Sequence, residues 1–152
     1  MKKLDNERWM REALKEAEHA LENGEVPIGA VVVKDGAVIG RGWNRKEGLK
    51  DPTAHAEIIA ISAAANSIHD WRLKGAILYT SVEPCLMCAG AILQARLDGV
   101  VFGARDEKFG SLGSVMDIRS KKWNWKFEVV PGVLEEESLE LLKRFFKKRR
   151  DG

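Results

Sequence analysis

The sequence predicts an α/β protein of three layers, α/β/α, with a mixed central sheet of about five strands and helices on both faces. Three observations lead there. An early pair of β-branched, apolar runs is joined by Asp35-Gly36. Helix-length and strand-length apolar segments alternate after it. Amphipathic helical patterns open and close the chain. The 152 residues suffice for one domain with a real core. That domain is expected to span 1–152, with 134–150 as a C-terminal basic helix.

Each element has its own signal. In 4–23, Trp9, Ala13, Ala17 and Ala20 line up at helical spacing beside Met10, Leu14 and Leu21, and Gly24 stops the helix. Segments 28–34 and 38–43 read as a hairpin around Asp35-Gly36. Segment 53–66 is alanine-rich and apolar, which predicts a buried helix, and 76–81 is the next strand. Segment 84–96 predicts a second buried helix with Pro84 in its first turn. A short strand follows at 100–104. Residues 105–126 read as loop, then come a last strand at 127–130 and the closing helix at 134–150.

Composition narrows the function classes. A formal net charge of +2 does not make the whole surface a polyanion binder, so nucleic-acid contact requires a local patch. The first eight residues hold no apolar signal-peptide core. Apolar stretches such as 28–33 are strand-sized and too short to span a bilayer. Cys85 and Cys88 are the only cysteines, and they could not bridge within a regular helix without distortion. A reducing, cytoplasmic setting with no membrane partner is expected.

Those cysteines, in Pro84-Cys85-Leu86-Met87-Cys88, combine with His55-Ala56-Glu57. One imidazole and two thiolates are ligands that zinc prefers, and three protein ligands leave a catalytic zinc one position for water. Glu57 is placed to move protons to and from that water. The expectation is one catalytic zinc ion per chain. His19 and His69 read as surface residues, so a closed structural site lacks an obvious fourth ligand, although it stays an alternative. Residues two apart on a helix point in different directions. Either His55 therefore occupies a non-helical cap or the Glu57 side chain bends back. A helix beginning at Pro84 would put both sulfurs at its positive end, which favours thiolate.

His55-Ala56-Glu57 with Pro84-Cys85-Leu86-Met87-Cys88 resembles the signature of the zinc-dependent nucleoside and nucleobase deaminases. Further segments are similar to the bacterial tRNA adenosine deaminases: Glu25-Val26-Pro27-Ile28-Gly29-Ala30, Gly42-Trp43-Asn44-Arg45, Asp51-Pro52-Thr53-Ala54, Glu83 ahead of the Pro84–Cys88 motif with Ala89-Gly90-Ala91 after it, Val101-Phe102-Gly103-Ala104-Arg105-Asp106 and the tail Phe145-Phe146-Lys147-Lys148-Arg149-Arg150. Ser81-Val82 and Trp125 depart from that family's usual Thr-Leu and His.

The resemblance implies hydrolytic deamination of adenosine to inosine at the wobble position of a tRNA anticodon. The base must be extruded into a pocket. Val26, Pro27 and Ile28 would wall that pocket and Asn44 would bond the base edge. Backbone N–H groups near Ala56 and Cys85 would orient the water, and Asp106 would accept from a ribose hydroxyl. Lys108, Phe146, Arg149 and Arg150 would contact RNA. The implied partners are a tRNA anticodon stem-loop and a second copy of the chain, with no DNA expected.

The tail has a plainer account. Glu135, Glu136, Glu137 and Glu140 open the last helix and Lys143, Arg144, Lys147, Lys148, Arg149 and Arg150 close it, which complements the helix dipole. Six basic residues nevertheless exceed that need and suit phosphates. Leu139, Leu142 and Phe146 form the expected apolar stripe, and Trp123 and Trp125 are expected to pack down. Two alternatives remain: a deaminase of a free base or nucleoside such as guanine or cytidine, and a non-catalytic, zinc-stabilised RNA-binding module.

Overall fold

The computed structural model describes residues 3–151. In chain order the elements are α1 (Lys3–Glu22), β1 (Gly29–Lys34), β2 (Ala37–Trp43), α2 (Lys46–Leu49), α3 (Ala56–Ile68), β3 (Ala76–Val82), α4 (Leu86–Ala95), β4 (Gly99–Ala104), β5 (Glu128–Val130) and α5 (Glu135–Asp151). A 3-10 turn, Ile118–Ser120, interrupts the long loop before β5. The five strands form one mixed sheet in the order β2-β1-β3-β4-β5. β1 runs antiparallel to β2 and β3, whereas β3, β4 and β5 are parallel. The fold class read from the sequence is the one observed.

Strand alternation divides the core. Ala30, Val32, Leu78, Val100 and Phe102 face α3 and α4. Val31, Val33, Tyr79 and Val101 face α1 and α5 with Met10, Ala13, Ala17 and Leu141. A strand covered on both faces needs a continuous apolar run, and Ala30-Val31-Val32-Val33 is one. The β1–β2 hairpin turns on Asp35 and Gly36 with φ of 51° and 74°, the left-handed pair a two-residue hairpin requires. β2 lies unusually close to α3. A Cβ on Gly42 would fall 2.5 Å from the Ala56 oxygen, and one on Gly40 would fall 2.4 Å from the Ala60 oxygen.

Several boundaries differ from expectation for local reasons. α3 begins at Ala56, not at residue 53, because Asp51 Oδ1 accepts from the Thr53 amide and hydroxyl and closes a turn there. α4 begins at Leu86, which puts Pro84 ahead of the helix. Neither helix is wholly buried: Ser62 and Ala63 on α3 and Leu86 and Met87 on α4 are exposed. The four-residue α2 was not expected.

In α5 the buried stripe is Ser138, Leu141 and Phe145, one position from the predicted Leu139, Leu142 and Phe146. The Ser138 hydroxyl donates to the Ser81 carbonyl at 2.5 Å and sets that face. Trp125 packs on the core and its indole N–H donates to the Leu97 carbonyl. Trp123 donates to the Ile118 carbonyl but stays 49% exposed. Among the described residues no helix is long and apolar enough to cross a membrane.

Candidate metal centre

Two helix starts meet at one point. His55 is the N-terminal cap residue of α3, with extended backbone (φ −81°, ψ 148°), and Cys85 holds the same place at α4 (φ −75°, ψ 176°). Neither side chain caps its own helix. His55 Nδ1 instead lies 3.6 Å from Cys85 Sγ and 3.5 Å from Cys88 Sγ. All three ligand atoms fall within 4.8 Å of one another, and among the described residues no other group of this kind occurs.

The donor set and its spacing fit zinc. A tetrahedral ion with Zn–N of about 2.05 Å and Zn–S of about 2.3 Å puts nitrogen and sulfur about 3.6 Å apart. The protein holds the atoms at that separation before any ion is considered. The thiols are unequal. Hydrogen bonding from Cys88, then from His55, holds Cys85 down to about 4. The Cys85 sulfur and burial push Cys88 above the ordinary thiol range. The bond to Cys85 raises His55.

Glu57 is the second residue of α3 and only 4% exposed. With His55 on the cap and off the helix, the two-residue spacing no longer separates them. Burial pushes the Glu57 carboxyl up to about 7. A buried acid that titrates near neutrality, beside three ligands, can both take and give a proton.

The flanking residues gather unevenly. The Asn44 amide N–H donates to the Ile28 carbonyl, and the Arg45 amide donates to Ala54, the neighbour of His55. Asn44 is buried, and its side chain spans Val26 O and Lys46 N, each at 3.4 Å. Val26 and Ile28 are half-buried, whereas Pro27 is fully buried and offers no surface of its own. Ala56 is buried in the first turn of α3.

Asp106 Oδ1 accepts from the Lys108 and Phe109 amides, so it caps its own loop. Lys108, Arg149 and Arg150 are exposed, as is Phe146 at 53%. Lys148 and Arg149 line a cavity of about 380 Å³ with Leu21, Gly24, Glu47 and Phe145, between the end of α1 and α5. His19 and His69 are exposed, as the sequence suggested.

Two buried carboxylates, both within the segments that carry the resemblance, receive no role from the sequence. Glu25 accepts from the Glu47 and Gly48 amides at 3.0 and 2.7 Å and so caps α2. Glu83 sits two residues before Cys85 and is 2% exposed. Burial pushes its carboxyl upward, but bonds from Ser114 and from loop amides outweigh that and hold it below the usual range. Apart from the Ser114 hydroxyl, their partners are backbone amides, which leave no pattern in a sequence.

An open three-ligand site for a metal, with an acid buried against it, is the layout of the metal-dependent deaminases. The sequence profile of the MafB19-like deaminase family matches residues 4–150. The chain is 47% identical over 146 residues to the tRNA-specific adenosine deaminase of Bacillus subtilis (strain 168), covering 95% of this chain and 91% of that one. It is 48% identical over 148 residues to the tRNA-specific adenosine deaminase of Haemophilus influenzae, covering 96% and 86%.

A structure solved in a study of A-to-I editing by tRNA:A34 deaminases at the wobble position of transfer RNA superposes with a TM-score of 0.86. It is 46% identical, with 89% of this chain and 99% of that one covered. The chain therefore belongs to the MafB19-like deaminase family, alongside the bacterial tRNA-specific adenosine deaminases. Its fold is cytidine deaminase-like.

Proposed function

We propose that this chain deaminates adenosine to inosine at the wobble position of tRNA anticodons. One catalytic zinc ion per chain would be held by His55, Cys85 and Cys88. The observation that carries this reading is the buried Glu57 beside three zinc-spaced ligands, in a chain this similar to tRNA-specific adenosine deaminases.

Zinc at such a site supplies Lewis acidity and brings the pKa of a water from 15.7 to about 7. Glu57 takes a proton from the attacking water as its oxygen bonds to adenine C6, and delivers it to the ring nitrogen. It then carries the second proton to the exocyclic amine. The C6–N bond breaks and ammonia leaves. Val26 and Ile28, backed by Pro27, wall the extruded base, and Asn44 bonds its edge. The N–H groups at Ala56 and Cys85 orient the reacting oxygen. Asp106 uses the carboxylate oxygen not spent on its own loop for a ribose hydroxyl.

Lys108, Arg149 and Arg150 meet phosphates and Phe146 stacks on a base of the anticodon stem-loop. The exposed Leu86 and Met87 on α4 support a homodimer. The working unit in this reading is a single cytoplasmic domain over 1–152, with neither membrane nor DNA as a partner.

Nucleoside analysis tests the assignment. The purified protein is offered an anticodon stem-loop RNA with a wobble adenosine and, separately, free adenosine, guanine and cytidine. Inosine should form in the RNA, and Glu57→Ala should abolish it while keeping zinc. Turnover of free guanine with none of the RNA would overturn the tRNA assignment. RNA binding with no deamination by the unmodified protein would make it a binding module.

A further inference from the structure

We infer that Glu83 is the positioning residue that registers the loop after β4 against the metal-ligand turn. The inference rests on the deaminase reading above and extends it to a residue that touches neither metal nor substrate. Four hydrogen bonds converge on this one carboxylate, all from the same loop. Oε1 accepts from the Asp106 amide at 3.1 Å and the Ser114 hydroxyl at 2.5 Å. Oε2 accepts from the Leu112 amide at 3.0 Å and the Ser114 amide at 3.1 Å.

Among the described residues no salt bridge reaches Glu83, and each of these four partners is an amide or a hydroxyl. Gly110 lies flat on the carboxyl, where a Cβ would fall 2.4 Å from both Glu83 Cδ and Oε2. Amides from separate points of one loop converge on a buried anion in this way, and the anion is the organising centre of that loop.

The neighbours make the tie directional. The Glu83 amide donates to Ala104 at the end of β4, and the Ser111 amide donates to the Pro84 carbonyl. Glu83-Pro84-Cys85 is therefore a short strut with a metal ligand at one end and the loop at the other. The loop carries Asp106, capped onto Lys108 and Phe109, and presents Phe109, Val115 and Met116 to solvent at 69%, 59% and 39% exposure. Exposed apolar groups on a loop do not hold themselves in place, and here the buried carboxylate does. Loss of its charge would shift where the loop meets RNA and leave the ligand set intact.

Glu83→Gln keeps the shape but turns one oxygen into a donor that faces donors. With the stem-loop RNA as substrate, KM should rise about tenfold, the size of one charge-assisted bond, while kcat and zinc per chain stay near the parent values. In an Asp106→Asn background the same change should add little, because both act through one loop. Ser114→Ala, which leaves Glu83 intact, should raise KM in the same direction. Amide exchange at Asp106, Leu112 and Ser114 should quicken in Glu83→Gln.

Unchanged KM and exchange in a parent that deaminates the RNA would overturn the inference alone. So would a fall in kcat with loss of zinc, or full additivity with Asp106→Asn. A parent inactive on RNA would overturn the substrate reading instead, and loop exchange would still decide the role of Glu83.

Discussion

Gly42→Ala adds one methyl where β2 passes beneath the first turn of α3. The new Cβ would lie 2.5 Å from the Ala56 oxygen and 2.7 Å from the Ala60 nitrogen. Carbon–oxygen contacts settle near about 3.3 Å, so that turn must retreat by about 0.8 Å. His55 occupies the position just before that turn and Glu57 sits in it, whereas Cys85 and Cys88 lie at the start of α4 and stay put. Overpacking of this kind costs about 1–3 kcal/mol, and a displacement approaching 1 Å can cost about 10²-fold in rate.

Gly40→Ala is the control. It collides with the same helix one turn on, at the Ala60 oxygen (2.4 Å) and the Ala64 nitrogen (2.6 Å). Thermal melts, zinc content and single-turnover deamination on the two variants separate stability from site geometry. Both should melt lower by similar amounts, but only Gly42→Ala should lose zinc affinity and about 10²-fold in rate. Equal rate losses well below either melting temperature would refute this coupling of sheet to site, as would full activity in Gly42→Ala.

Other outcomes follow from the same structure. The four basic residues Lys147, Lys148, Arg149 and Arg150 are exposed and can be changed to glutamine without touching the core, unlike the buried Phe145. Their loss should flatten the salt dependence of RNA binding by about 0.7 in logarithmic slope per phosphate contact, read by titration at several salt concentrations.

In metal-free protein, Glu57 is raised to about 7 from an ordinary 4.5, so the unfolded chain releases its proton first. Stability should then decline as pH climbs from about 4.5 through 7, by on the order of 3 kcal/mol. Chemical denaturation of metal-free Glu57→Gln should lack that component. Tyr79→Phe removes the hydroxyl that donates to the buried Asn6 side chain at 3.0 Å. It should cost about 1–3 kcal/mol in melts and leave deamination unchanged.

The sequence was most legible where chemistry and pattern coincide. The hairpin, the helix periods and the ligand trio rest on residue types whose spacing has few other uses. Boundaries near the site were harder. Pro84 reads as a first-turn proline, and only three dimensions reveal that Cys85, one residue later, is the cap. The α5 stripe was off by one because several apolar residues lie close together there, and a buried serine hydroxyl decides which of them face the sheet. Asp106 shows the limit most clearly: the same aspartate satisfies its own loop whether or not a ribose is present. Glu25 and Glu83 look like surface acids among 23 acidic residues until the amides around them are visible.

The uncapped starts of α3 and α4 have one more consequence. A helix usually begins with a side chain that turns back to satisfy its first amides, and here the residues in that position are turned toward each other instead. Construction of the metal centre has thus been taken out of the ends of two helices. Removal of the ion should be felt first as fraying of those two opening turns while the five-stranded sheet stays whole. The centre would then open and reclose locally, so an ion could enter or leave without unfolding the protein.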